Sequence, residues 1–342
     1  SALTTDLGSE FWPEVSPDGK TIAYQSVRTL SQGDKIFNCS ILARQSSSDE
    51  PIRLTDDGAL PKWSPDGTQI AFMRLAGDVQ SLWVTKAVGG QNKQLVSGGL
   101  TSIENTLLPY LRVQTSSFSW SPDSKKIVYV SDKNNLQNLW TIAADGSGET
   151  QITSNNNPNF NLYCPLWSAD GSRIAYSSKP SNAAPGKKII HSAWVTDVGN
   201  RESKTVIQSE TFQRLIGWSQ DDKELIIAAF KGRASSTRPT EVELVRVSIP
   251  TGEQRPIATL QSAYLYNIHL SDDRRTIAFT SRQNGQDNIW LIPASGGEAK
   301  KLTANNDPKL YFSSLSWSPD SRAIYFGKQS RYSLLSMITN FK

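Results

Sequence analysis

Cysteine, histidine and methionine are scarce: the 342 residues hold two of each. With only Cys39 and Cys164 there is no disulfide framework and no cysteine-rich zinc module. His191 and His269 alone cannot supply a multi-histidine metal site. No apolar run reaches the ~20 residues that span a bilayer, so membrane contact would need a missing anchor or a partner. No secretory signal opens the chain, although a start at Ser1-Ala2 says little about export. Charge of one sign is lacking as well: 36 Lys and Arg face 32 Asp and Glu, a net of +4. That is too little for a nucleic-acid footprint. Hydrophobic residues at 37% and charged residues at 20% describe an ordinary folded chain. A chain this long buries about three-quarters of its unfolded surface, so its core needs no staples. What is abundant is tryptophan, with ten.

An internal repeat explains the tryptophans. Trp63-Ser64-Pro65-Asp66-Gly67 returns at Trp120–Ser124, Trp167–Gly171, Trp218–Asp222 and Trp317–Ser321. Two copies lack the tryptophan, Val15–Gly19 and Leu270–Arg274. Anchored on the serine, the seven copies lie 48, 57, 47, 51, 52 and 47 residues apart, each with Asp two positions on. An alternating run follows the turn, as in Ile70-Ala71-Phe72, and then a second one, as in Leu82-Trp83-Val84. Period-two alternation marks half-buried strands. A glycine turn such as Gly296-Gly297 and a short strand ending in Leu302-Thr303 complete the unit. Nine of the ten tryptophans fall at two repeat positions, as packing residues between adjacent sheets do.

Four-stranded units of this length predict an all-β fold, a seven-bladed β-propeller forming one domain over residues 1–342. The blades are expected at about 12–56, 60–97, 116–154, 163–208, 214–260, 266–304 and 313–342 plus 1–6. The last unit stops without an outer Leu-Thr strand, and Leu3-Thr4-Thr5-Asp6 is the missing piece, so the amino-terminal strand should complete the last blade and close the ring.

These elements resemble the repeats of TolB-like propellers, a WD40-like repeat family, over essentially the whole chain. Seven repeats and no amino-terminal α/β domain depart from TolB itself, so its binding of a peptidoglycan-associated lipoprotein is not carried over. The resemblance implies a periplasmic or extracellular protein that binds partners. It also admits the sensor half of a membrane regulator or the gating domain of a prolyl oligopeptidase-like enzyme.

The strand order puts the Ser-Pro-Asp-Gly turns and glycine hairpins on one face. The long irregular segments, 97–116, 154–164, 304–314, 27–38, 179–191 and 231–240, fall on the other. Binding residues favour irregular loops on a rigid scaffold. The candidates at that channel mouth are Phe11, Trp12, Tyr163, Arg214, Tyr266 and Tyr311, with Phe11, Tyr163, Arg214 and Tyr266 each five residues before a motif serine. Aromatics and arginine there suit a protein, a peptide or a small ligand; alternatively, they only plug the channel. Lys179, Lys187, Lys188, Lys231, Arg233, Arg238, Lys328 and Arg331 lie in loops free of Asp and Glu, which admits an anionic ligand.

No catalytic constellation stands out, and the expectation is a non-catalytic, monomeric binding or scaffold protein without cofactor or metal; an enzyme at the channel mouth is the rival. Gly217-Trp218-Ser219-Gln220-Asp221 lacks the second glycine of a nucleophile elbow. The seven repeat aspartates read as turn acceptors. Asn155-Asn156-Asn157-Pro158 and Asn305-Asn306-Asp307-Pro308 are oxygen-rich but have no EF-hand register. Cys39 and Cys164 fall on opposite sides of such a ring, too far apart for a disulfide.

Overall fold

Alternating apolar residues and turn-forming Asp, Gly and Asn clusters produce strands joined by short connections, and every strand pairing is antiparallel. The computed structural model describes residues 9–29, 37–46, 48, 50–76, 79–100, 117–181, 188–230, 240–330 and 333–339. The first sheet holds β1 (Ser9–Val15), β2 (Thr21–Thr29), β3 (Phe37–Gln45) and β4 (Ile52–Thr55). The second holds β5 (Ala59–Trp63), β6 (Gln69–Ala76), β7 (Val79–Lys86) and β8 (Lys93–Val96). The third is β9 (Phe118–Trp120), β10 (Lys126–Ser131), β11 (Asn138–Ala143) and β12 (Thr150–Gln151). The fourth is β13 (Phe160–Trp167), β14 (Arg173–Pro180), β15 (His191–Asp197) and β16 (Ser203–Ser209).

A seven-stranded sheet follows: β17 (Gln213–Trp218), β18 (Glu224–Phe230), β19 (Thr240–Ser248), β20 (Gln254–Leu270), β21 (Thr276–Gln283), β22 (Gln286–Pro293) and β23 (Lys300–Lys301). The last sheet has three strands, β24 (Tyr311–Trp317), β25 (Ala323–Gln329) and β26 (Ser333–Thr339).

The fold is an all-β propeller, but the expectation of seven separate four-stranded blades is corrected. Hydrogen bonding defines six sheets, of which five reach four strands and the sixth has three. The cause is β20. Its first half pairs with β19 and its second half with β21, so two repeats share one sheet. No glycine or proline interrupts residues 257–270, and β-favouring Tyr264 and Ile268 keep the link extended. The proposed closing segment, residues 1–6, lies outside the described residues. The first and last sheets do meet: Val15, Ile22, Tyr24 and Leu42 pack with Ala323 and Tyr325.

Each seam between sheets has its own apolar layer, as with Val128, Leu139, Ile152, Trp167 and Ile174. Burying such residues is the main stabilising term, about 1.5–3 kcal/mol for each large side chain.

Candidate functional site: the axial channel

The inner strands run from the loop-rich face to the turn face, and the repeat turns finish them. In all seven copies the serine hydroxyl donates to the aspartate at 2.6–2.7 Å. The serine oxygen accepts the backbone N–H five residues on, as Ser168 does from Arg173 at 3.0 Å. The aspartate accepts a second bond from the N–H two residues on, as Asp123 does from Lys125 at 3.1 Å. The serine hydroxyl bond, then the backbone bond, holds the carboxyls of Asp18, Asp123, Asp221 and Asp320 below the usual carboxylate range. Asp170 falls to about 2 for the same reason. These aspartates are local locks rather than a shared carboxylate ring. Ser219, in the elbow-like stretch, makes the same turn bonds with Asp221 at 2.7 Å and Glu224 at 3.0 Å.

The motif tryptophans do more than pack. Each indole Nε1 donates to the carbonyl two residues before the motif serine of the preceding repeat: Trp63 to Glu14, Trp120 to Lys62, Trp167 to Ser119, Trp218 to Leu166 and Trp317 to His269. The distances are 2.9–3.3 Å. Asp222, standing where five of the other copies have glycine or serine, adds a further tie. It accepts the Ala169 N–H at 2.8 Å and pairs with Arg274 across the next repeat.

At the loop-rich end, the described side chains five before the serine are buried. Phe11 packs beside Trp12 and Val27. The Tyr163 hydroxyl donates to the Gln213 carbonyl at 3.4 Å, and Arg214 Nη1 donates to the Ile268 carbonyl at 3.1 Å. These residues stitch one inner strand to the next. Trp12, Leu60, Cys164 and Ser314, each four before the serine, have φ of 49° to 54°. That left-handed backbone costs about 1–3 kcal/mol for a residue other than glycine. It forms the bulge seen in the pairing of β1, β5, β13 and β24.

Several buried polar atoms at this level have no protein partner among the described residues: Trp12 Nε1, Gln25 Nε2, Gln213 Oε1, Ser313 Oγ and Ser314 Oγ. Tyr311 is half-buried, with the Arg282 guanidinium 4.5 Å from its ring centre. Arg282 is held by the fully buried Asp287 at 2.6 Å, and the Phe312 N–H donates to the same carboxylate at 3.0 Å. The Tyr266 side chain lies outside the described residues, as do Lys187, Lys231, Arg233, Arg238 and Arg331. Lys188 pairs with Glu210.

The asparagine-rich links are hydrogen-bonded turns. Asn138 Oδ1 accepts from Thr153 and from the Asn155 N–H, and Asn288 repeats this with Thr303 and Asn305. Asn155 and Asn305 each accept the N–H two residues on. The side-chain oxygens of Asn155, Asn157, Asn305 and Asp307 are thus engaged with the chain's own backbone. Cys164 is buried and Cys39 half-buried, both free, and burial pushes each thiol up to about 11.

The turn-face end of the channel holds a pocket that sequence reasoning missed. Glu14, Lys62, His269, Asp272, Ser316 and Trp317 line about 160 Å³. Lys62 Nζ and Glu14 Oε2 are 2.8 Å apart. The available signal was register: Glu14, Lys62, His269 and Ser316 all stand two before a motif serine. Among the described residues, no three His, Cys, Asp or Glu side chains converge as metal ligands.

A ring of antiparallel sheets latched by repeat tryptophans around a polar axis defines a β-propeller. The TolB beta propeller domain model matches residues 9–190, just over half of the chain, and the protein belongs to that family. Over 149 residues, 40% of this chain, it is 28% identical to dipeptidyl-peptidase 5 of Porphyromonas gingivalis. That match covers 20% of the relative, so the chain aligns with about a fifth of the curated protein's length. Among solved structures, an oligogalacturonate lyase in complex with manganese superposes with a TM-score of 0.70 at 13% identity, over 100% of this chain and 93% of that one. The propeller domain of the Trilobed protease from Pyrococcus furiosus, described as having an open velcro topology, gives 0.67 at 13% identity, over 98% and 94%. At such identities the likeness shows the fold alone. Among the described residues no helix is long and apolar enough to cross a membrane.

Proposed function

We propose that this chain is a non-catalytic binding propeller, exported from the cytoplasm, that takes a protein or peptide partner at the loop-rich end of its axial channel. The observation that carries this reading is the set of partnerless buried polar atoms there, on Trp12, Gln213, Ser313 and Ser314. Each costs about 1–3 kcal/mol unless water or a visitor supplies a partner. A polypeptide brings backbone donors and acceptors of its own. Strained bulges at the same level favour that end too, since such strain clusters at binding sites. The test is a fluorescence titration of the tryptophan-rich protein with synthetic peptides of graded length. Trp12→Phe, which removes a donor but keeps an aromatic ring, and Tyr311→Ala should each weaken binding by about 1–3 kcal/mol. Absence of peptide binding, or full affinity in both variants, defeats the reading.

A second reading is favoured by the match to part of a much longer peptidase. In it, the propeller is one piece of a larger chain and filters what reaches a catalytic domain. The mass of the native polypeptide in its source cells decides: about twice 37.7 kDa supports it, and 37.7 kDa ends it.

A further inference from the structure

The pocket at the turn-face end stands apart from the partner-binding mouth and does not depend on it. Glu14, Lys62 and His269 reach it from different inner strands, and Asp272 reaches it from a turn. We propose that this pocket binds the primary ammonium group of a small ligand, with Glu14 and Asp272 as acceptors. Asp272 is the sequence's own departure from its repeat. The six other copies carry Pro17, Pro65, Pro122, Ala169, Gln220 and Pro319 at that position, none of them charged.

Charge selects the ligand. Two carboxyl groups share one ammonium, that of Lys62, which sits 2.8 Å from Glu14. An arriving cation balances the second carboxylate, whereas an anion would face both. Asp272 is open to water yet walled by protein. That enclosure first, and then the Glu14 carboxylate, raises its carboxyl to about 7, with Lys62 opposing and Asp273 adding to the rise. His269 is the remaining titratable group in the lining. A divalent metal ion fits less well, because Lys62 repels it and the described residues supply no three converging ligands. The volume of about 160 Å³ equals roughly five waters, enough for a short amine or the first residue of a peptide.

Calorimetric titration of the whole chain tests this, with putrescine and with trialanine carrying either a free or an acetylated amino terminus. Acetate and calcium serve as competitors in charge and kind. The free amines should bind, and acetylated trialanine, acetate and calcium should not. Binding of putrescine alone assigns a free diamine; binding of free trialanine as well assigns a peptide amino terminus. Asp272→Asn should weaken binding about tenfold or more without lowering the melting temperature, since the residue sits on an exposed turn and the fold disfavours its charged form. Putrescine affinity should rise between about pH 6 and 8, because Asp272 ionises while an alkyl amine of pKa near 10 stays charged. Trp12→Phe should leave it unchanged, which separates this site from the partner mouth. No amine binding, undiminished binding in Asp272→Asn, or tighter binding of acetate or calcium overturns the proposal.

Discussion

Ser168 is fully buried and both donates and accepts at its turn, whereas Asp170 is exposed and only accepts. Ser168→Ala should therefore cost more than Asp170→Ala. About 1–3 kcal/mol is expected for the serine, which leaves the Arg173 N–H without its acceptor, and about 1 kcal/mol for the aspartate. Thermal melts of the two variants check the order. His191 offers a pH test. It is buried against Phe212, and desolvation first, then the charge of Lys179, lowers its pKa to about 4. Above about pH 6.5 the ring is neutral whether folded or not, and stability is unaffected. Below that, the unfolded chain binds a proton that the folded site refuses until about pH 4. Stability should fall across this window by at most about 1.4 kcal/mol per unit, and level off below it. Melting between pH 7 and 5, set against the same melts of His191→Phe, should isolate this slope, because Asp272 titrates in the same window with the opposite sign. The role of the aspartates was legible because Asp recurs at a fixed place in a turn. The buried state of Phe11, Tyr163 and Arg214 was not, because register places a residue on a strand without telling what the next strand will offer it.

At the scale of the strand, the indole bonds are the repeated device. Trp167→Phe keeps most of the packing and removes one bond, at about 1 kcal/mol. Trp167→Ala also opens a cavity, at about 3–5 kcal/mol. Denaturant melts of the pair separate latch from filler. Alternation and turn residues made the strands readable, and the repeat spacing gave the propeller. The merging of two repeats through β20 was not readable, since each repeat has the same motif and only the uninterrupted link between them differs. The charged pocket was hidden for a related reason: Glu14, Lys62 and Asp272 are 48 or more residues apart, and only the ring brings them to one axis.

Over the whole molecule, closure is carried in part by Tyr24, fully buried where the first sheet meets the last. Tyr24→Ala should lower stability by about 3–5 kcal/mol, although the residue touches only one seam. Tryptophan fluorescence and circular dichroism should still report one coincident transition in that variant, and separated transitions would show that the sheets melt independently. The seams are not equal, however. Val15 and Leu270 stand where the other repeats have tryptophan. At Leu270, β20 carries the main chain straight through the junction. At Val15, the described residues show neither an indole nor a shared strand. The ring is then a bracelet with one clasp, and thermal breathing should begin there. Deuterium should enter the amides of β1 and β25 before those of β21. Because Glu14 and Ser316 flank that clasp on the axis, an occupied pocket would rivet it, and slower exchange at this one place would betray the ligand.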